Sequence, residues 1–341
     1  MSDSNASVNP GEMIKWYRSP IPKDTLRSLT QRSDAMGFLQ AGGYLVVLAG
    51  TAVASFAAYR WLPLWAFFLV LFVHGTVWAF LTNGFHELVH GTVFRSKPLN
   101  AIFLRIYSFL GWASPVQFRA SHVRHHSSTL HPPWDEEVVL PIRLRVRNFL
   151  LSAIIDPIGL YNTLRLFLRW SVGIYKGHWE LVLFPAEDRA GRRALARWAR
   201  IVLIGHAIIV AASIASGYWL FAVVISGARF YGGALQWLCN NTQHIGLQDN
   251  VPDFRLCCRT VRLNPILQFL YFHMNYHAEH HMYAAVPCYK LGRLRRTIAS
   301  DLPDASPNLL AAWQEIIGIL RRQEKEPGYQ HVFKLPVRQA A

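Results

Sequence analysis

Apolar and charged positions along this chain are sorted into long blocks. Residues 35–59 contain no Asp, Glu, Lys or Arg, which is enough for one membrane-spanning helix of about 20 residues. Arg60 and Trp61 make a short turn, and Pro63 suits the first turn of the next helix. A second apolar run over 62–83 leads directly into the sequence HELVH. A third uncharged stretch covers 201–228, broken by Gly217, and predicts two spans near 198–216 and 219–239. Residues 98–114 are apolar but interrupted by Arg105 and closed by Pro115. That stretch is too short for a span and reads as an interfacial or re-entrant helix. Residues 143–170 set Arg143, Arg145, Arg147, Arg165 and Arg169 among Leu, Ile, Phe and Trp, a pattern that lies in the interface plane more readily than it crosses.

The pattern predicts an all-α integral membrane protein with four transmembrane helices in two hairpins, plus interfacial helices and a cytosolic histidine-rich cap. The expected parts are a cytosolic N-terminal tail (1–34) lying partly on the membrane surface, a membrane domain (35–295) and a cytosolic C-terminal tail (296–341). Two hairpins put both termini and the long middle loop on one side. Nearly all Lys and Arg fall on that side; Arg60 sits in an outer turn and Arg229 within a span. This agrees with the positive-inside rule. The 341 residues are 52% hydrophobic and 16% charged, with formal charge +15. In so apolar a chain the positive balance points to a membrane face, not to nucleic acid. The polar N-terminus shows no cleavable signal peptide. Cys239, Cys257, Cys258 and Cys288 have no metal-type spacing and are expected as reduced thiols.

Histidine placement adds the chemistry. His277-Ala-Glu-His280-His281 puts histidines at i, i+3 and i+4, and His122-Val-Arg-His125-His126 repeats the pattern. His86 and His90 form a related pair in HELVH. On a helix such positions share a face, so each cluster is expected to aim two or three imidazoles at one point. Neutral imidazole binds iron, zinc or copper, and eight histidines exceed what one tetrahedral metal uses. More than one metal is implied. HELVH taken alone matches the zinc metalloprotease motif, with Glu87 as general base, but that reading leaves two HxxHH clusters unemployed. The Glu-x-x-His motif of ferritin-like di-iron proteins occurs once, where two are needed.

The three clusters, in this order and spacing, resemble the histidine boxes of the membrane fatty acid desaturase family, hydroxylases included, and among them bacterial-type members without a fused cytochrome domain. The resemblance runs from the first span to about residue 295. It implies that His86, His90, His122, His125, His126, His277, His280 and His281 bind two iron ions (Fe2+). It also implies a ninth histidine from the end of the fourth helix, His244, with Asn240 four residues earlier acting through water. The implied activity is that of an O2-dependent di-iron oxidoreductase introducing a C=C bond into an acyl lipid or lipid-like substrate. Removing hydrogen from an unactivated C–H bond needs an oxidant beyond any side chain. With no haem, flavin, dinucleotide or iron–sulfur motif in the chain, an external electron donor protein (a ferredoxin or similar) is expected. Basic runs at 189–200 and 293–296 would steer it, or bind anionic lipid. The expected location is a bacterial inner membrane, multi-pass, with both termini and the active site cytoplasmic.

Several alternatives stay open. The same fold supports hydroxylases and desaturases of specialised small metabolites such as dihydrorhizobitoxine. A membrane metalloprotease, or a non-enzymatic metal- or haem-carrying membrane protein, is a rival of another class. Glu87, Glu279, Asp135 and Glu136 are candidate hydrogen-bond partners of the ligands, and His273 is a candidate for the same supporting role or for packing. His74, His206 and Arg229 are polar residues within spans. Trp61, Trp65, Trp78, Trp219 and Trp237 fit interface anchors or channel walls.

Overall fold

The computed structural model describes residues 14–142, 149 and 153–336. Arg143, Arg145 and Arg147, residues 1–13 of the N-terminal tail and 337–341 of the C-terminal tail lie outside the described residues. Among those described, the chain is helical, with isolated bridge pairs but no strand.

A short helix, α1 (Lys23–Thr30), precedes the first long one, α2 (Asp34–Trp61), which opens with Ser33 capping Met36 N and holds a π turn at Phe38–Gly42. Leu62 is extended, as the residue before proline prefers, and α3 (Leu64–Val89) starts behind Pro63. Both helices turn apolar side chains outward: Val46 and Trp65 are each 72% exposed. A helix apolar on all sides, with such exposure, fits lipid as its surroundings.

Two polar-capped helices follow. Ser96 caps α4 (Lys97–Leu110) and Ser114 caps α5 (Pro115–Ser128), each with proline in the first turn. The stretch expected to be interfacial is α4. Tyr107 Oη donates to Ala41 O at 2.8 Å and Trp78 Nε1 donates to Leu110 O at 3.2 Å, so α4 is tied to both α2 and α3. Asp156 caps α6 (Pro157–Ser171). With α7 (His178–Leu183) and the start of α8 (Arg189–Ala215), α6 encloses a second core of Phe167, Trp170, Leu183, Leu195 and Trp198. Helix α8 begins nine residues before the predicted 198, because Asp188 caps it at Gly191 N and its first turns are basic.

The fourth predicted span, 219–239, is not one continuous helix. It runs as a π turn (Ala222–Ser226), a 3-10 turn (Ala228–Phe230), and then α9 (Ala234–Asn240). Gly232 explains the break. Its φ is +70°, and a Cβ there would sit 2.6 Å from Thr76 N and 2.7 Å from Phe72 O, so only glycine lets this backbone lie against α3. Among the described residues, three helices, α2, α3 and α8, are long and apolar enough to cross a membrane.

The remainder builds a cap from α10 (Phe254–Cys257), α11 (Pro265–Leu270), α12 (His277–Met282), α13 (Leu291–Thr297) and α14 (Leu309–Lys325). Residues 14–19, within the expected cytosolic N-terminal tail, strap this cap. Trp16 stacks on Phe254 with centroids 4.1 Å apart, and Tyr17 Oη and Ser19 Oγ both donate to Asp301. The four cysteines are buried thiols.

Candidate metal centre

Three helices and one loop deliver the histidines. His86 and His90 lie on the last turns of α3, with His90 as its C-cap. His122, His125 and His126 ride the end of α5. His277, His280 and His281 are on α12, and His244 follows α9. Their ligand atoms converge in two groups, each within 4.8 Å. One group is His86, His90, His122, His126 and His280; the other is His125, His244, His277 and His281.

The HxxHH clusters are therefore divided, where the sequence suggested that each aims at a single point. The cause is helical geometry. Residues i and i+4 stay about 40° apart around the axis, but i+3 and i+4, being neighbours, point about 100° apart. His122 and His126 enter the five-histidine group and His125 the other. Reciprocally, His277 and His281 enter the four-histidine group and His280 the first. Helices α5 and α12 thus each serve both groups.

Protons are fixed by the partners behind the rings. His122 Nδ1 lies 2.8 Å from Glu137 Oε1, and His125 Nδ1 lies 2.8 Å from Asp135 Oδ2. His244 Nδ1 reaches Cys257 O at 2.8 Å. Thr129 Oγ1 spends its own proton on His125 O and accepts from His281 Nδ1 at 3.2 Å. Each of these imidazoles donates from Nδ1, so in the neutral ring Nε2 carries a lone pair. Their Nε2 atoms meet those of further rings: His122 to His90 at 3.1 Å and to His126 at 3.0 Å, His277 to His244 at 2.9 Å and to His281 at 3.1 Å. Each of these contacts brings at least one imidazole lone pair to the centre of its group, where a cation would find its ligand atoms. The donor set therefore fits metal ions with a preference for imidazole.

Electrostatics agree. Burial holds His90, His122, His126, His277 and His281 well below the ordinary histidine range, helped by neighbouring histidines, and lowers His244 to about 3. These rings are neutral near pH 7, as ligation requires. Burial also acts against charge on His125, but the Asp135 hydrogen bond and the Glu137 and Asp135 charges outweigh it and raise its pKa. Burial opposes the Asp135 charge too, and the His125 bond outweighs it, so the carboxyl falls below its usual value.

The acids singled out from sequence divide. Asp135 supports His125, and Glu87 Oε1 stands 3.0 Å from His280 Nδ1, without hydrogen-bond alignment. Glu279 instead accepts from Thr260 and Arg295, and Glu136 meets the exposed His178. Spacing alone does not single out Glu137, although it shares a three-acid loop with Asp135; choosing between adjacent glutamates requires the turn geometry. Asn240 Oδ1 accepts from Asn83 on α3 at 3.3 Å. Glu87 is fully buried and faces His280 of the α12 cluster, not an isolated HELVH pair.

The polar residues expected within spans find protein partners. His74 bridges Thr51 and Val224 O. His206 bridges Ser226 Oγ and Phe109 O, and stacks on Trp112 with centroids 4.0 Å apart. Arg229 interacts electrostatically with Asp156.

A helical membrane protein with paired polyhistidine groups is the class these features define. The family model described as Fatty acid desaturase matches residues 59–313, well over half of the chain, and the protein belongs to that family. No curated protein sequence matches it. Family membership makes it an oxidoreductase of the desaturase and hydroxylase type.

Proposed function

We propose that the protein is a membrane-embedded di-iron desaturase, taking two hydrogens from a CH–CH unit of an acyl lipid or lipid-like substrate. The observation that carries this is the sorting of nine histidines into two adjoining groups of five and four. Each group would hold one iron, with Asn240 acting on the second through water. Bound iron would supply the electron transfer to O2 that an unactivated C–H bond demands. In balance, CH–CH, O2, two electrons and two protons give C=C and two waters. The chain's own part is to aim the imidazoles, with Glu137, Asp135, Thr129 and the Cys257 carbonyl taking Nδ1 of four of them and leaving Nε2 towards the metal.

Electrons come from a separate donor protein. The exposed Arg189, Arg193, Arg197 and Arg200 recur about a turn apart at the start of α8, and Arg293 and Arg296 are exposed on α13; such basic groups suit an acidic donor. An apolar substrate is supported by a cavity of about 730 Å³ beside Leu88, Gly91 and Ala120, close to the five-histidine group. Leu104, Val116 and Phe184 wall it, and Lys97, Arg105 and Arg119 edge it. An apolar chain with an anionic head suits that lining.

The broken 219–239 segment serves as the fourth crossing, which restores two hairpins and a cytoplasmic site. Irregular backbone survives at membrane depth where protein satisfies it. Here His74 meets Val224 O, Trp112 donates to Ser226 O, and Thr76 donates to Gly232 O. The experiment is expression with an electron-donor system beside His125→Ala, with mass spectrometry of lipids and small metabolites. A product lacking two hydrogens, absent with His125→Ala, is expected. A product gaining one oxygen turns the assignment to a hydroxylase, and an unchanged profile with iron bound removes the acyl-lipid substrate.

A further inference from the structure

Arg259 is the largest fully buried side chain among the described residues, at 1% exposure. It surrounds one histidine. Its backbone N–H donates to Gln243 O at 2.8 Å, Nη1 donates to Thr242 O at 2.6 Å, and Nη1 and Nη2 both reach Ile245 O at 3.2 Å. The carbonyls on both sides of His244 thus end on a single residue. The guanidinium is itself held by Glu315 of α14, which accepts from Nε at 3.1 Å and Nη2 at 2.9 Å.

Other C-terminal contacts converge on this loop. Gly246 has φ +76°, and a Cβ there would lie 2.5 Å from Ile319 Cγ2. His331 N donates to Gly246 O at 2.8 Å, and the Phe333 ring lies 5.8 Å from the guanidinium. Glu315, Ile319, His331 and Phe333 all follow residue 313, where the family match ends. His244 belongs to the four-histidine group alone.

We propose that Arg259 is a positioning residue for the four-histidine group. Locked by Glu315, it fixes the loop that presents His244, so the C-terminal helix governs metal retention in that group and leaves the five-histidine group alone. This rests on the two-metal reading above. A buried arginine can bridge two carbonyls and a carboxylate with its planar fork, which a lysine ammonium cannot do in the same geometry.

The test uses the full chain in detergent, titrated with Co(II), reading ions bound per chain and the cobalt absorption bands. Wild type is expected to bind two ions tightly. Arg259→Lys and Glu315→Gln are expected to keep one tight ion and weaken the other roughly ten- to hundredfold, as loss of ligand-supporting contacts does, with one set of cobalt bands lost first. Thermal unfolding checks the fold. Should Arg259→Lys fail to fold, Glu315→Gln decides, because Glu315 is about one-third exposed and its substitution milder. Two tight ions in the folded variants overturn the proposal, and so does parallel weakening of both ions. Fewer than two ions in wild type overturns the two-metal reading instead.

Discussion

Glu137 Oε1 lies 2.8 Å from His122 Nδ1, while its other oxygen accepts from Ser121 Oγ at 2.7 Å. The carboxylate is thereby aimed, and it fixes which nitrogen of His122 faces the five-histidine group. Glu137→Ala is expected to weaken metal binding there roughly ten- to hundredfold. Glu136→Ala, next door and paired with exposed His178, is expected to leave it unchanged. Competition titration against a chelator of known affinity compares the two; equal effects would remove Glu137 from the site.

The two histidine groups converge only in the folded chain, so metal bound there should stabilise the fold. At free metal one hundred times Kd, one site contributes about 2.7 kcal/mol. Stripping the protein with a chelator should lower its Tm, and restoring iron should recover it. A Tm indifferent to chelation would mean that the histidine groups hold no ion in the native state.

Gly232 and Gly233 are neighbours with opposite expectations. Alanine at 232 meets Thr76 N and Phe72 O and forces a left-handed backbone. It should cost on the order of 1–3 kcal/mol from the backbone alone, and more from the clash. At 233, φ is −72° and nothing lies within 4 Å of a Cβ, so alanine should be neutral or stabilising by up to about 1 kcal/mol. Thermal unfolding of the pair would contradict the described helix contact if the order were reversed.

His74→Leu should act on stability and not on the metals. It strands Val224 O in the π turn, at about 1–3 kcal/mol for an unmade buried bond. Iron content of the folded fraction should match wild type; iron loss would give His74 a role at the centre.

The sequence made α2 and α3 legible because their uncharged runs are long and bounded by Pro63 and the HELVH motif. It likewise exposed eight histidines by spacing, and His244 by resemblance. The division of HxxHH between two groups was not readable. It depends on how α5 and α12 are turned towards each other, and those two elements are far apart in the chain. The break at 227–233 was hidden for a related reason. Glycines within an apolar run suit a helix or a kink equally, until Gly232 is seen against α3. Arg259 gave no local signal, since its partners lie at 242–245 and at 315.

Iron per chain in the purified, freshly loaded wild-type protein is the most direct measurement of the central claim. Two iron ions per chain are expected, falling when His280 or His125 is replaced by alanine, one from each group. A single ion per chain, zinc in preference to iron, or iron retained in full by both alanine variants would contradict the account.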